Sequence, residues 1–140
     1  MADLGADKKG GGTDMKAKLS TLWIVVMFSM VYADIISLMD PTSPMRRVLA
    51  GASFIFRVDQ GFLLASAVAM EMTIVMIFLS RVLKHKANRL ANIIVGAMDI
   101  AVTVSLVHRV PYYVFFSAVE VIFLALIIWN AWKWRAPENA

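Results

Sequence analysis

The chain contains no cysteine, which excludes disulfides, thiolate metal sites and thiol redox chemistry. Histidine occurs only twice, at His85 and His108, each at the end of an apolar run. Charged residues make up only 17% of 140, and no Lys, Arg or His interrupts any of the long apolar runs. The basic excess, formally +4, clusters at the ends of those runs. That distribution is a topology signal and argues against a nucleic-acid partner. Proline lies outside the apolar runs, at Pro41, Pro44, Pro111 and Pro137, where it breaks helices and does not kink them.

What is abundant is apolar surface. The chain is 60% hydrophobic with a mean hydropathy of +0.71, which places it in the membrane class on composition alone. Phe62–Leu79 is representative: fifteen of its eighteen residues are apolar, the exceptions being Ser66, Glu71 and Thr73. At about 1.5 Å per residue such a run crosses a bilayer core as a helix. Three more runs of this kind predict an all-α fold, a four-helix transmembrane bundle running up-down-up-down. The spans fall at about 19–39, 60–82, 90–107 and 112–132. Residues 1–18, with Gly10, Gly11 and Gly12 beside Lys8 and Lys9, read as a disordered tail. Residues 136–140 form a C-terminal tail, so the membrane domain is 19–135. Span one is too long for a secretory signal and lacks a small-x-small cleavage site, so it is expected to stay as an anchor.

Between spans one and two, Met45, Val48, Leu49, Ala52, Ile55 and Phe56 share one arc of about 120° while Arg46, Arg47 and Arg57 face away. With Ser43 as N-cap and Pro44 at the first helical position, this predicts an amphipathic helix over Met45–Val58 lying in the interface. Orientation follows from basic residues: 10 of the Lys and Arg lie on the side of both termini and 4 on the other. Both ends are therefore expected in the cytoplasm. The four tryptophans, Trp23, Trp129, Trp132 and Trp134, are then expected at the cytoplasmic interface, with Tyr112 and Tyr113 at the outer one.

Each span carries one carboxylate: Asp34, Glu71, Asp99 and Glu120. An acid at mid-membrane costs a few kcal/mol even on lenient insertion scales. All four fall in a common slab from the middle toward the outer side. On span three, Asn92, Gly96, Asp99 and Thr103 follow 4-3-4 spacing, one helical stripe; on span four Tyr113, Ser117 and Glu120 do the same. With no base inside the spans, four ionised acids would repel one another, so they share protons or hold a cation. The four acids are the candidate proton, cation or ligand site, with Asn92, Thr103, Tyr113 and Ser117 as its polar support. Glu71 and Asp99, at one depth on helices joined by a short turn, are expected to face each other. The short turns at Lys84–Arg89 and His108–Pro111 are also expected to make spans two, three and four antiparallel neighbours.

A carboxylate-bridged metal pair would need Glu-x-x-His on two helices, but Ile74 follows Glu71 and Phe123 follows Glu120 at that spacing. No metal site, cofactor or catalytic residue is therefore assigned, and the many methionines read as apolar packing. The same acids could instead act only as interhelical hydrogen-bond glue, worth roughly 0.6–2 kcal/mol each.

Leu19-Ser20-Thr21-Leu22-Trp23, Tyr32-Ala33-Asp34, Gln60-Gly61-Phe62-Leu63-Leu64, Ile77 to Leu83, Arg89-Leu90-Ala91-Asn92, Glu120 and the Trp129–Trp134 end together resemble a family of short four-span bacterial membrane proteins of unknown function. More loosely the chain resembles the DoxX-like proteins. The resemblance implies a multi-pass inner (plasma) membrane location and brings no activity. The residues themselves favour a small membrane protein that binds or transports a proton, a cation or a cationic amphiphile. A structural subunit in a homo-oligomer or on a larger membrane partner is the alternative, and a lipid-acting enzyme the weaker third. The bilayer is its one certain partner.

Overall fold

The computed structural model describes residues 4–51, 59–107 and 109–135, and for 4–10 the backbone alone. Five helices follow one another: α1 Leu4–Met39, α2 Pro44–Leu49, α3 Gln60–Val82, α4 His85–Leu106 and α5 Pro111–Lys133. Four of these are long and apolar enough to cross a membrane, and they pack as an antiparallel four-helix bundle. The end of α5 lies at the same end of the bundle as the α3–α4 turn; Asp40, α2 and Tyr112 occupy the other.

The distribution of polarity is that of a membrane protein. Large apolar side chains such as Phe78, Phe115 and Ile122 are exposed on the outside, while Asn88, Asn92, Asp99, Thr103, Ser117 and Glu120 are buried. In water this arrangement would be unstable, but in lipid the exterior needs no polar cover and the interior can be held by hydrogen bonds.

Local signals set the helix ends. The Ser43 hydroxyl accepts from the Arg46 amide at 3.0 Å, and Pro44 opens α2. The helix expected over Met45–Val58 starts as foreseen but stops at Leu49. Gly51 there adopts φ +83°, a left-handed conformation suited to glycine. The remainder of that expectation, residues 52–58, lies outside the described residues, as does His108. Asp59 caps α3 by accepting from the Phe62 amide at 2.8 Å. Pro111 supplies the first turn of α5, where its missing N–H costs nothing.

Two expectations about span one change. Leu4–Lys18, read as a disordered tail, continues α1 as helix; once the span exists, adding residues to its end needs no new nucleation. Met15 packs against the core, which ties that extension to the bundle. Trp23 is not an interfacial ring at all. It is fully buried, because its indole N–H finds a partner inside: Nε1 donates to Asn92 Oδ1 at 2.7 Å. Trp129 and Trp132 remain exposed, under Lys133 and Arg89 respectively, as the interface reading expects.

The half of the bundle on the side of the α3–α4 turn is closed. Leu19, Trp23 and Val26 of α1 meet Met76 of α3, Val95 of α4 and Leu124 and Ile127 of α5. Through this core runs a polar chain. Ser80 donates to Asn92 Oδ1 at 3.3 Å, Asn92 Nδ2 donates to Asn88 Oδ1 at 2.6 Å, and Asn88 Nδ2 donates to the Ser80 carbonyl at 2.6 Å. Nearby, Arg81 Nε donates to Ser20 Oγ, which donates to the Ile77 carbonyl. Close packing of α4 on α5 is set by Gly96, whose position would bring an added Cβ to 3.0 Å from Ile128 Cγ1.

Spans two, three and four are successive neighbours, as expected, but the contacts are uneven. α4 packs closely on α5, but α3 leans on α1 and meets α4 only sparsely. The turn at Leu83 and Lys84 joins α3 and α4 at one end and the Thr73–Asp99 hydrogen bond joins them further along, and the residues each helix buries decide its other neighbours. On α3 those are Thr73, Met76 and Ser80.

Candidate functional site

The half of the bundle away from the α3–α4 turn is hollow. A cavity of about 280 Å³ opens among all four spans, rimmed at its mouth by Pro44, Met45 and Val48 of α2 and by Tyr112. Its wall is mostly apolar, with Met30, Phe62, Met70, Val102 and Leu106 contributing, and two carboxylates, Asp34 and Glu120, project into it. A volume near the lower end of the roughly 300–1,000 Å³ typical of small-molecule sites, apolar walls and few polar groups describe a ligand pocket.

Each polar lining residue is placed by helix periodicity. Tyr113, Ser117 and Glu120 lie on one stripe of α5, and all three line the cavity. Thr103, at the end of the α4 stripe, donates its hydroxyl to Glu120 Oε1, which fixes that carboxyl against α4. Glu120 is only 6% exposed and lies within electrostatic reach of both Asp99 and Asp34. Tyr113 lines the same cavity as Asp34 and Glu120. Asp34 is half-buried, one helical turn from Ser37, which also lines the wall.

Asp99 lies deeper, outside the lining. It is buried and accepts from Thr73 Oγ1 at 3.1 Å. Asn92 lies deeper still, in the closed half. The structure thus brings Asp34, Glu120, Thr103, Tyr113 and Ser117 into one cavity and places Asp99 beneath it. Asn92 becomes a structural residue.

Glu71 does not belong to this site. It is exposed on the outside of α3, and the expected Glu71–Asp99 pair does not form. The reason is azimuth: Thr73, two residues on, points about 200° away from Glu71 and takes the place facing Asp99. The signal that would have found Thr73 is its 3-4 spacing with Met76 and Ser80, which marks the inward face of α3. Among the described residues, no group of three or more carboxylates or histidines is disposed to hold a metal ion.

The cavity mouth is tied by a residue outside the spans. Asp40 Oδ1 accepts from the Thr42 hydroxyl at 2.7 Å and the Thr42 amide at 2.8 Å, and Oδ2 accepts from the Tyr112 hydroxyl at 3.1 Å. These bonds, Thr42's first, hold the Asp40 carboxyl below its ordinary value of 3.8. A group depressed on folding stabilises the fold above its unfolded pKa and loses that contribution as pH falls through its folded one. The turn should therefore loosen on acidification below about pH 4. Protection of the Thr42 amide against hydrogen exchange should fall over that range in the native protein and stay flat with pH in Asp40→Asn.

With this geometry in view, sequence comparison adds one result. The model of a family of unknown function, DUF6326, matches residues 11–140. The chain belongs to the DUF6326 family. No curated protein and no solved structure gives a significant match, and nothing in these comparisons connects this family member to the DoxX-like proteins. The site's chemistry has to be argued from its own residues.

Proposed function

We propose that the protein binds a small organic cation with an apolar body in the cavity between its four spans, with Asp34 and Glu120 as the countercharges. One observation carries this reading: two carboxylates share an otherwise apolar, lipid-depth hollow. Two negative charges in a low dielectric repel each other and forgo hydration, and a bound cation offsets both costs. Tyr112 and Tyr113, with ring centroids 6.5 Å apart and planes at 77°, both line the wall and offer π faces that favour an ammonium group. Apolar side chains cover the remaining wall and suit the ligand's body. The same acids could load protons in exchange, which would make the protein a proton-coupled carrier.

Basic residues number 10 on the terminal side and 4 on the other, so we place both termini in the cytoplasm and the cavity mouth outside. The absence of native cysteine makes this directly testable. Leu49→Cys, on exposed α2, should react with a membrane-impermeant maleimide added to intact cells, and protection there would reverse the orientation.

Benzyltrimethylammonium and its neutral carbon isostere, neopentylbenzene, test the binding reading. Calorimetry in lipid nanodiscs should detect the cation and no competition from the isostere. Glu120→Gln and Asp34→Asn should each weaken binding about tenfold or more, equivalent to about 1.4 kcal/mol or more. Glu120 should matter more because it is the more enclosed. Equal binding of the isostere, or unchanged affinity in both variants, would show that the cavity does not recognise charge.

A further inference from the structure

Glu71 is a mid-span acid with no cavity to serve. It is exposed and has no hydrogen-bond or ion-pair partner among the described residues. The other three span acids are buried or half-buried. Left facing hydrocarbon, a lone carboxyl costs a few kcal/mol on insertion scales, so a partner at the same depth is called for.

The residues around it describe that partner. Leu64, Val68, Glu71, Val75, Phe78 and Val82 follow 4-3-4-3-4 spacing, and all six are exposed. At 100° per residue they span an arc of about 80°. The residues α3 does bury, Thr73, Met76 and Ser80, lie on the opposite side. α3 therefore has one face committed to its own bundle and a second, seven-residue-periodic face of the kind that forms knobs-into-holes seams between helices. Ala67, exposed one turn before Glu71, leaves room for close approach.

We propose that this face is the interface of a homodimer, with α3 of one copy packed on α3 of a second and Glu71 hydrogen-bonded to its counterpart. A two-fold axis along the membrane normal sets every residue opposite itself at equal depth, so depth matching is automatic. The one base on α3, Arg81, lies near its end and well away from Glu71, so a second copy brings no opposite charge to Glu71. A protonated carboxyl nevertheless donates and accepts, which makes Glu71 self-complementary. A single polar residue in an apolar seam also fixes its register. The inference is independent of the cavity, which Glu71 does not line.

The native lack of cysteine permits site-specific cross-linking. In bilayers, Val68→Cys and Val75→Cys should give disulfide-linked dimers on oxidation, while Ile122→Cys, equally exposed but on α5, should not. Fluorescence energy transfer between labelled copies, followed on dilution with lipid, should show Glu71→Gln associating like the native protein, because a carboxamide also donates and accepts. Glu71→Leu, and Glu71→Met as a second apolar variant, should associate about tenfold more weakly, with helicity and benzyltrimethylammonium binding unchanged. A monomeric native protein, cross-linking as efficient from Ile122→Cys, or full association in both apolar variants would overturn the proposal. So would equal loss in Glu71→Gln and Glu71→Leu, which would point to a basic partner from a different protein.

Discussion

Replacing Asn92 with leucine should lower the stability of the bundle by about 2–6 kcal/mol, the sum of two orphaned buried polar groups at about 1–3 kcal/mol each. Asn92 joins three helices: its Oδ1 accepts from Trp23 of α1 and Ser80 of α3, and its Nδ2 donates to Asn88 on α4. Leucine leaves the Trp23 indole N–H and the Asn88 Oδ1 without partners in a closed core, whereas the Ser80 hydroxyl can turn back onto its own helix. Interhelical hydrogen bonds in membranes average well under 2 kcal/mol, so most of the loss comes from the stranded groups and little from the bonds themselves. A double variant, Trp23→Phe with Asn92→Leu, should therefore be more stable than Asn92→Leu alone. Unfolding in mixed micelles, followed by circular dichroism, measures the native protein, Asn92→Leu, Trp23→Phe and the double variant. Additive losses in the double variant would mean that Trp23 and Asn92 are not coupled.

Gly96→Leu should be as damaging, by about 3 kcal/mol, the upper part of the usual range for overpacking. A Cβ at this position already meets Ile128 Cγ1 at 3.0 Å and Cδ1 at 3.4 Å, with the Leu124 carbonyl at 3.9 Å. Alanine needs only a small shift of the flexible, half-buried Ile128 side chain. Leucine adds three more carbons where there is no space, so α4 and α5 must separate. That separation would also part Thr103 from Glu120 and should weaken cation binding. Ile128→Ala in the Gly96→Leu background should restore part of both stability and binding. If Gly96→Leu alone melts at the native temperature, the α4–α5 contact is looser than the structure places it.

Much of the candidate site could be read along the chain because each part of it is local to one helix. The stripes Tyr113–Ser117–Glu120 and Asn92–Gly96–Asp99–Thr103 follow from helical periodicity, and the structure turns both inward. The Ser43–Pro44 helix start is equally local. What failed was the pairing of Glu71 with Asp99. Depth is a linear quantity, read from residue number, but which way a helix faces depends on the sum of its contacts. On α3, Thr73, Met76 and Ser80 outweigh one acid, and Glu71 turns outward. The same limit applies to Trp23, which was placed at the interface by its position in the span and drawn inside by Asn92, 69 residues away.

The sequence by itself determined that this is a four-span membrane protein, because length and hydropathy of a run suffice to say what crosses a bilayer. Local turn signals were legible too, since a cap or a proline such as Ser43 and Pro44 acts on its own neighbours. Only the tertiary structure decided which acids meet. Asp34 and Glu120 lie more than eighty residues apart in the chain, and they share a cavity because α1 and α5 pack side by side. Helix rotation and neighbour choice are settled by many weak contacts acting together, and no single run of residues encodes them.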